Sequence, residues 1–377
     1  MKLLHTGDLH LDSAFSGKGT LLADRRREAQ RRLLERIVRL AEEEACDMIL
    51  IAGDLFDGKY VTPETAELAC RLFGETKRPI VIAPGNHDPY VKGSFYQTAE
   101  LPENVYVFSA SELQCFFFEE WNLSVYGYAF LSAALTESPL NQGAIEPKGE
   151  GLRVFCAHAD LTSPISRYAP VTEGDLLRGG FDYVALGHVH NPSELEAKLD
   201  PSIRYCGFAE GRSFDELGEG GVLIVTLEQG APVRVESKSL SETRYLAEEV
   251  DLSGCGEPEE IRQRIAQAVA CFAGEKKTHL RISLVGTADA ALLGDMDRLA
   301  EEVKGSLASL ELKDLTVPVA DGNALSKDVT LRGALYKSLY AGLIAEDPAV
   351  RRRSALALQI GLAAIDNRKI PERSADQ

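Results

Sequence analysis

Met48-Ile49-Leu50-Ile51-Ala52-Gly53-Asp54-Leu55-Phe56-Asp57 is the stretch on which the reading of the fold turns. Five consecutive apolar residues run into a glycine and then a carboxylate. An apolar run this short, closed by a turn signal, predicts a strand covered on both faces, as in a parallel sheet. The glycine lets the backbone turn sharply there, so Asp54 stands just past the strand's carboxyl end.

The same construction recurs four times. Residues 2–6 lead into Gly7-Asp8-Leu9-His10, and residues 79–83 into Gly85-Asn86-His87-Asp88. Residues 153–157 lead into Ala157-His158-Ala159-Asp160, and residues 183–186 into Gly187-His188-Val189-His190. Between the first two strands lies 22–44, where Leu33, Leu34, Ile37, Val38, Leu40 and Ala41 recur at helical spacing among charges. A second helix is expected over 63–72. Strand alternating with helix is the pattern of an α/β sandwich. In open α/β sheets ligand groups gather at the carboxyl ends of strands, so five motifs converge on one edge. Five of the chain's seven histidines lie inside them.

That set of side chains suits a pair of divalent cations. Carboxylates, one carboxamide and imidazoles fit manganese, iron, zinc or magnesium, and the absence of thiolates disfavours a structural zinc site. Each motif alone is a weak signal; all five in order at strand ends are a strong one. His5, inside the first strand, and His279, at the start of a later one, read as structural. Rival chemistries lack their marks: Gly17-Lys18-Gly19-Thr20 has the wrong spacing for a phosphate loop, and no G-x-G-x-x-G, H-E-x-x-H or G-x-S-x-G occurs.

Beyond the motifs, 203–207, 221–227 and 233–237 read as strands. A small α/β unit follows: strand 245–250, helix 257–272, strand 279–285, helix 292–304 and strand 307–317. The expected domains are 1–240 for the cation site, 241–320 for a small α/β cap and 328–368 for a C-terminal helical pair. In that pair Leu331, Leu335, Leu339 and Leu343 form one stripe, and Ala355, Leu358, Leu362 and Ile365 another, after Arg351-Arg352-Arg353. The pair either packs back on its own domain or awaits a partner groove. The last seven residues read as disordered.

Composition sets the outer limits. A chain of 377 residues predicts two or three domains, and 45% hydrophobic with 26% charged residues is a globular profile. No apolar run approaches the roughly 18 residues of a membrane helix, and no signal core opens the chain, which predicts a cytoplasmic protein. Seven cysteines without a C-x-x-C pair read as small buried residues in a reducing compartment. A net charge of −17 runs against nucleic-acid binding. Two bound cations would reverse that locally, and residues 321–377 carry nine Lys/Arg against seven Asp/Glu.

The motif order D-x-H, GD, GNHD, H and GHxH resembles the calcineurin-like metallophosphoesterase superfamily. Residues 4–12, residues 181–190 and the 207–221 stretch with Gly211-Arg212 resemble its SbcD-like DNA-repair exonuclease branch, YhaO-type members especially. The resemblance covers residues 1 to about 227 and implies the metallophosphoesterase sandwich. It implies Asp8, His10, Asp54 and His190 on one metal, with Asp54 bridging to a second held by Asn86, His158 and His188. His87 would face the phosphate or protonate the leaving oxygen. It further implies manganese, a DNA substrate, and an SbcC-like coiled-coil ATPase partner docked on the C-terminal helices. A homodimer is compatible with the chain. Asp57 stands where some relatives carry a second histidine, so cleavage polarity does not carry over; it either orients a ligand from behind or caps the following helix.

Three functions follow. The first is a metal-dependent DNA nuclease subunit of an ATPase complex. The second is a phosphodiesterase or phosphatase for small nucleotides with the extra domain as a lid. The third is an inactive structural subunit, which the full set of seven ligands disfavours.

Overall fold

The computed structural model describes residues 1–15, 20–58, 61–142, 150–272, 274, 277–318 and 322–365. The Gly17-Lys18-Gly19 stretch and the last seven residues lie outside them. The chain divides into two compact units, Met1–Arg244 and Tyr245–Gln377.

In the first unit, β1 (Lys2–Thr6), β2 (Met48–Ile51), β3 (Ile80–Ile82) and β4 (Val105–Val107) pair in parallel, each with the next. A second sheet holds β5 (Gln114–Phe118), β6 (Leu123–Gly127), β7 (Leu152–His158), β8 (Tyr183–Gly187) and β9 (Ile203–Tyr205), parallel except for β5. The chain then returns to the first sheet, where β10 (Gly221–Thr226) runs antiparallel to β1 and β11 (Arg234–Ser239) antiparallel to β10.

Strand alternation sorts the apolar residues into layers. Leu3, Leu50 and Val81 face inward and meet Val125, Val154 and Ala185 of the other sheet. Their neighbours Leu4, Ile49, Ile51 and Ile82 face out. There Leu33, Leu34, Ile37 and Ala41 of α1 (Thr20–Glu43) and Ala69 and Phe73 of α2 (Pro63–Thr76) cover them. The far face of the second sheet packs Tyr126, Phe155 and Leu186 on Leu176. This is the α/β sandwich, and it explains why its inner strands are largely apolar. Truncating one such residue, as in Ile37→Ala, would cost about 2–5 kcal/mol.

α2 starts where it does because Thr62 caps it, its hydroxyl accepting from Thr65 N, with Pro63 in the first turn. The Asp12 carboxylate accepts from Thr62 N at 2.8 Å and Thr65 Oγ1 at 2.7 Å. That ties the loop after β1 to the helix after β2. The remaining helices of this unit are single turns: α3 (Phe95–Thr98), α4 (Glu173–Arg178) and α5 (Ser193–Glu196).

The second unit has its own core. β12 (Thr243–Asp251), β13 (Lys277–Val285) and β15 (Ser309–Asp314) form a sheet in that order, and β14 (Thr287–Ala288) pairs with β16 (Val317–Pro318). Ile261 and Ile265 of α6 (Pro258–Ala270) pack on Leu280, Ile282 and Leu284. The single helix expected over 292–304 is two, α7 (Ala290–Leu293) and α8 (Met296–Val303). Gly294 takes a left-handed φ of 59°, and Asp295 then caps the new helix through Arg298 N. The strand expected over 307–317 is likewise divided into β15 and β16. After α9 (Gly322–Lys327) come α10 (Leu331–Leu343) and α11 (Pro348–Ile365), which pack on each other, with α11 reaching β16. Leu358 is buried, while Val329, Leu331, Tyr340 and Ile344 are exposed.

The cysteines depart from the expectation of burial. Cys46, Cys156, Cys206 and Cys255 are buried, Cys70 and Cys115 are half-buried, and Cys271 is exposed at the end of α6, where the helix face turns to solvent. No helix among the described residues is long and apolar enough to cross a membrane.

Candidate metal centre

The five motifs follow β1, β2 and β3 of one sheet and β7 and β8 of the other, all at carboxyl ends. Four motif residues take conformations that L-residues seldom adopt: Asp8 (φ 49°), His10 (φ 46°), Asp54 (φ 47°) and His188 (φ 107°). Such backbone costs on the order of 1–3 kcal/mol per residue and persists only where the surroundings over-determine it. Here the first two loops brace each other, Asp8 N donating to Gly53 O at 3.0 Å and His10 N to Asp54 O at 2.9 Å. Glycines are needed for clearance at several motif positions, Gly53, Gly85 and Gly187 among them. A Cβ on Gly85 would overlap the Asp54 carboxylate, and one on Gly53 (φ 92°) the His158 imidazole.

The side chains converge. Asp8, His10 and His190 bring donor atoms within 4.8 Å of one another, as do Asp8, Asp54 and His158, and His10, Asp54 and His87. Asp54 Oδ2 lies 3.8 Å from His10 Nε2 and 3.4 Å from His158 Nε2, between the two groups. Asn86 Oδ1 is 2.8 Å from His158 Nε2. His188 stands further out. It is absent from these triads, its ring centroid is 5.1 Å from that of His158, and its Nε2 is 3.7 Å from Asp160 Oδ2.

Each inner imidazole is oriented through its other nitrogen. His158 Nδ1 donates to Ala52 O at 3.1 Å. His10 Nδ1 lies 3.2 Å from Asp57 Oδ1, and His190 Nδ1 2.9 Å from Glu216 Oε1. With both Nδ1 atoms committed as donors to carboxylates, the Nε2 atoms of His10 and His190 present lone pairs to each other at 3.3 Å. Two lone pairs at that distance repel unless a cation or a proton lies between them. Asp8 Oδ1, fully buried, has no hydrogen-bond partner either. The donors are all oxygen and nitrogen, so the residues present fit divalent cations.

The charge states of the metal-free site agree. Burial alone would push the His190 imidazole down, but the Asp8 and Glu216 carboxylates raise it to about 10, so a proton fills the place of a cation. Burial works against the Asp8 carboxylate too, yet His190, His158 and His10 hold it well below the usual range. Glu216 behaves likewise and falls to about 2 through His190 and Arg212. Asp88, the fourth residue of GNHD, is no donor to the cluster. It accepts from Gly85 N at 2.8 Å and Tyr96 Oη at 2.6 Å, and burial raises it to about 7.

His87 differs from the inner set. Its side chain is 47% exposed, against 2% for His10 and none for His158. Its Nδ1 lies 2.9 Å from the same Asp57 Oδ1 that holds His10, which raises its pKa despite partial burial. Sequence reasoning passed over four features: Glu216, the outer contact of Asp160, the Ala52 carbonyl, and Tyr168, whose half-exposed ring lies 4.9 Å from that of His188. Only Asp160 sat in a motif. His5 is buried and bonded to Tyr183 Oη at 2.8 Å, and His279 is bonded to Ser309 Oγ at 2.6 Å; neither is in the donor triads.

Residues 1–192, which carry all five motifs, match the family of calcineurin-like phosphoesterases, and the chain belongs to that family. It is 31% identical over 243 residues to YhaO of Bacillus subtilis (strain 168), an uncharacterised metallophosphoesterase. The match covers 61% of this chain and 58% of that protein, so it spans under two thirds of the relative's length. Among solved structures, a dimetal phosphatase from Danio rerio is similar at 12% identity with a TM-score of 0.39, over 63% of this chain and 96% of that one.

Proposed function

We propose that this chain hydrolyses phosphodiester bonds of DNA with two divalent cations, manganese being the activator, as the nuclease subunit of a complex with a coiled-coil ATPase. The carrying observation is the pair of Nε2 atoms of His10 and His190 facing each other at 3.3 Å and the orphaned Asp8 Oδ1 beside them, with a half-exposed histidine next to it. Asp8, His10, Asp54 and His190 would hold one cation, and Asp54, Asn86, His158 and His188 the other. When bound, such a pair polarises the phosphoryl oxygen and acidifies a water.

The chain's own residues supply the rest. Asp54 Oδ1 accepts from His87 N at 2.9 Å, which leaves Oδ2 for the centre. Asp57 holds the His87 ring by Nδ1, which leaves Nε2 to meet the phosphate or give a proton to the leaving oxygen. Three features favour DNA over a small nucleotide: the likeness of residues 4–12 and 181–190 to DNA-repair exonucleases, a second unit with its own core, and a terminal helical pair with exposed Leu331, Tyr340 and Ile344. Those helices are the proposed seat of the ATPase.

The test is cleavage of end-labelled single- and double-stranded DNA with manganese, with and without a chelator. Chelator-sensitive shortening supports the proposal. Hydrolysis of a nitrophenyl phosphodiester with no action on either DNA, even beside a coiled-coil ATPase, points to a small-nucleotide substrate instead.

A further inference from the structure

The outer supports of the imidazoles are unequal. His158 is completely buried, and packing together with Ala52 O fixes its ring. His10 is 2% exposed and is held by Asp57 Oδ1 as well as by packing. His190 is 26% exposed, so packing alone does not set its ring. What holds it most closely is Glu216, a residue outside all five motifs, at 2.9 Å from Nδ1, with Arg212 Nη2 at 3.4 Å from the same atom.

Glu216 is itself 2% exposed, and a buried carboxylate stays buried only if paired. Arg212 pairs it closely. Its backbone N donates to Oε2 at 2.8 Å, and its Nε and Nη2 donate to Oε1 at 2.9 and 2.5 Å. Glu216 N donates to Ser213 O at 3.2 Å, and Gly221 N closes the base of the loop on Phe208 O at 3.1 Å. The loop between β9 and β10 is thus a rigid turn that presents one carboxylate to one imidazole. Such outer contacts fix the tautomer and direction of a ligating histidine.

We infer that Glu216, clamped by Arg212, is a positioning residue for half of the centre: it accepts the Nδ1–H hydrogen bond of His190 and aims Nε2 at Asp8 and His10. The inference rests on the two-cation reading above. The half built on Asn86 and His158 has no contact with Glu216, so the effect is confined to one cation.

The experiment titrates chelator-stripped full-length protein with manganese(II) chloride and follows free manganese by electron paramagnetic resonance. No DNA is present, so the outcome is independent of whether DNA is the substrate. The wild-type titration tests the two-cation reading, and the variants test this inference. Glu216→Ala should weaken one of two equivalents by about 10–100-fold and leave the other as in wild type. His158→Ala should weaken the other equivalent. Glu216→Asp keeps the charge but withdraws it by one methylene and should recover part of the loss. Melting in excess chelator should stay close to wild type for each Glu216 variant. Two wild-type equivalents in Glu216→Ala would overturn the inference. So would joint loss of both equivalents with a lowered melting temperature in chelator and no recovery in Glu216→Asp, which is the signature of a fold-supporting role. If Glu216→Ala does not fold, Arg212→Gln loosens the clamp while leaving the carboxylate. It should weaken the same equivalent by a smaller factor, and an unchanged titration there would equally refute the idea.

Discussion

Asp57 places one oxygen between two functions, so substituting it should separate them. Its Oδ1 lies 3.2 Å from His10 Nδ1 and 2.9 Å from His87 Nδ1. In Asp57→Ala, His10 loses the contact that aims its Nε2 inward, and removing such support typically weakens metal binding by about 10–100-fold. That part of the loss disappears at saturating manganese. The second part does not. His87 loses both its orientation and the carboxylate that raises its pKa, and general acid help is typically worth ~10²–10⁴-fold in rate.

The pH dependence separates the two further. A group that gives up a proton must carry it, and the Asp57 carboxylate keeps the proton on His87 to higher pH. Without it the imidazole moves down toward its ordinary value of about 6.5. The alkaline limb of the rate profile should therefore shift to lower pH, and the variant should lose more at pH 8 than at pH 6. The assay is hydrolysis of a nitrophenyl phosphodiester across that range at rising manganese. Asn in place of Asp should fall between, since a neutral acceptor gives roughly half of a charge-assisted bond. If saturating manganese restores the wild-type rate at every pH, Asp57 serves only His10 and the acid role of His87 is refuted.

Asp54→Asn should abolish turnover and strip most bound metal, because Oδ2 sits between His10 and His158; full occupancy with normal turnover would remove Asp54 from the site. His87→Ala should keep metal near the wild-type level while the rate falls by ~10²–10⁴-fold, and lost metal would make His87 a ligand. Manganese binding at pH 8 should release about one proton, since His190 in the metal-free chain is raised to about 10. The sign follows. That proton stabilises the metal-free fold fully below about 6.5 and is lost as pH rises through about 10, while metal affinity falls toward acid; calorimetry in buffers of different ionisation heat reads it, and zero release would contradict it. Ending the chain after Lys327 removes α10 and α11 but no residue of Met1–Arg244. Nitrophenyl ester hydrolysis should survive and ATPase binding should not; an insoluble product would instead assign the helices to the core.

The parts of the fold legible in sequence are those whose burial is two-sided. β1, β2, β3, β7 and β8 are flanked by a helix layer or loops on one face and by the opposing sheet on the other, so β2, β3 and β8 are apolar throughout, while His5 interrupts β1 and Arg153 interrupts β7. The α1 stripe is equally plain because its other face is charged. What escaped was one edge strand of each sheet, β4 and β5, and the interior strand β6, whose apolar run is broken by Ser124 and closed by Gly127. β4 has three half-buried residues, and along β5 Gln114, Cys115 and Phe116 are half-buried, Phe117 is exposed and Phe118 is buried, so neither shows a clear period. The division of α7 from α8 depends on one left-handed glycine, and glycine inside a helical pattern does not announce its φ.

The site divides along the same physical line. Residues that coordinate or touch substrate must be particular types at strand ends, and a D-x-H or GNHD motif records that need directly. Residues that hold those ligands are constrained only to reach one ring nitrogen, and many elements can do so. For His158 the partner is a backbone carbonyl, which any residue at position 52 would supply. For His190 it is a carboxylate twenty-six positions further along, held by its own arginine. No spacing rule joins 190 to 216, because what joins them is the return of the chain from the second sheet to the first. The gap between β9 and β10 is where the fold changes sheets, so the loop that makes the crossing passes over the edge where both sheets end. Glu216 reaches the centre as a consequence of that topology, and so the inner ligands, and Asp57 within its motif, are readable from residue types, while a support such as Glu216 becomes visible only once the strand order is known.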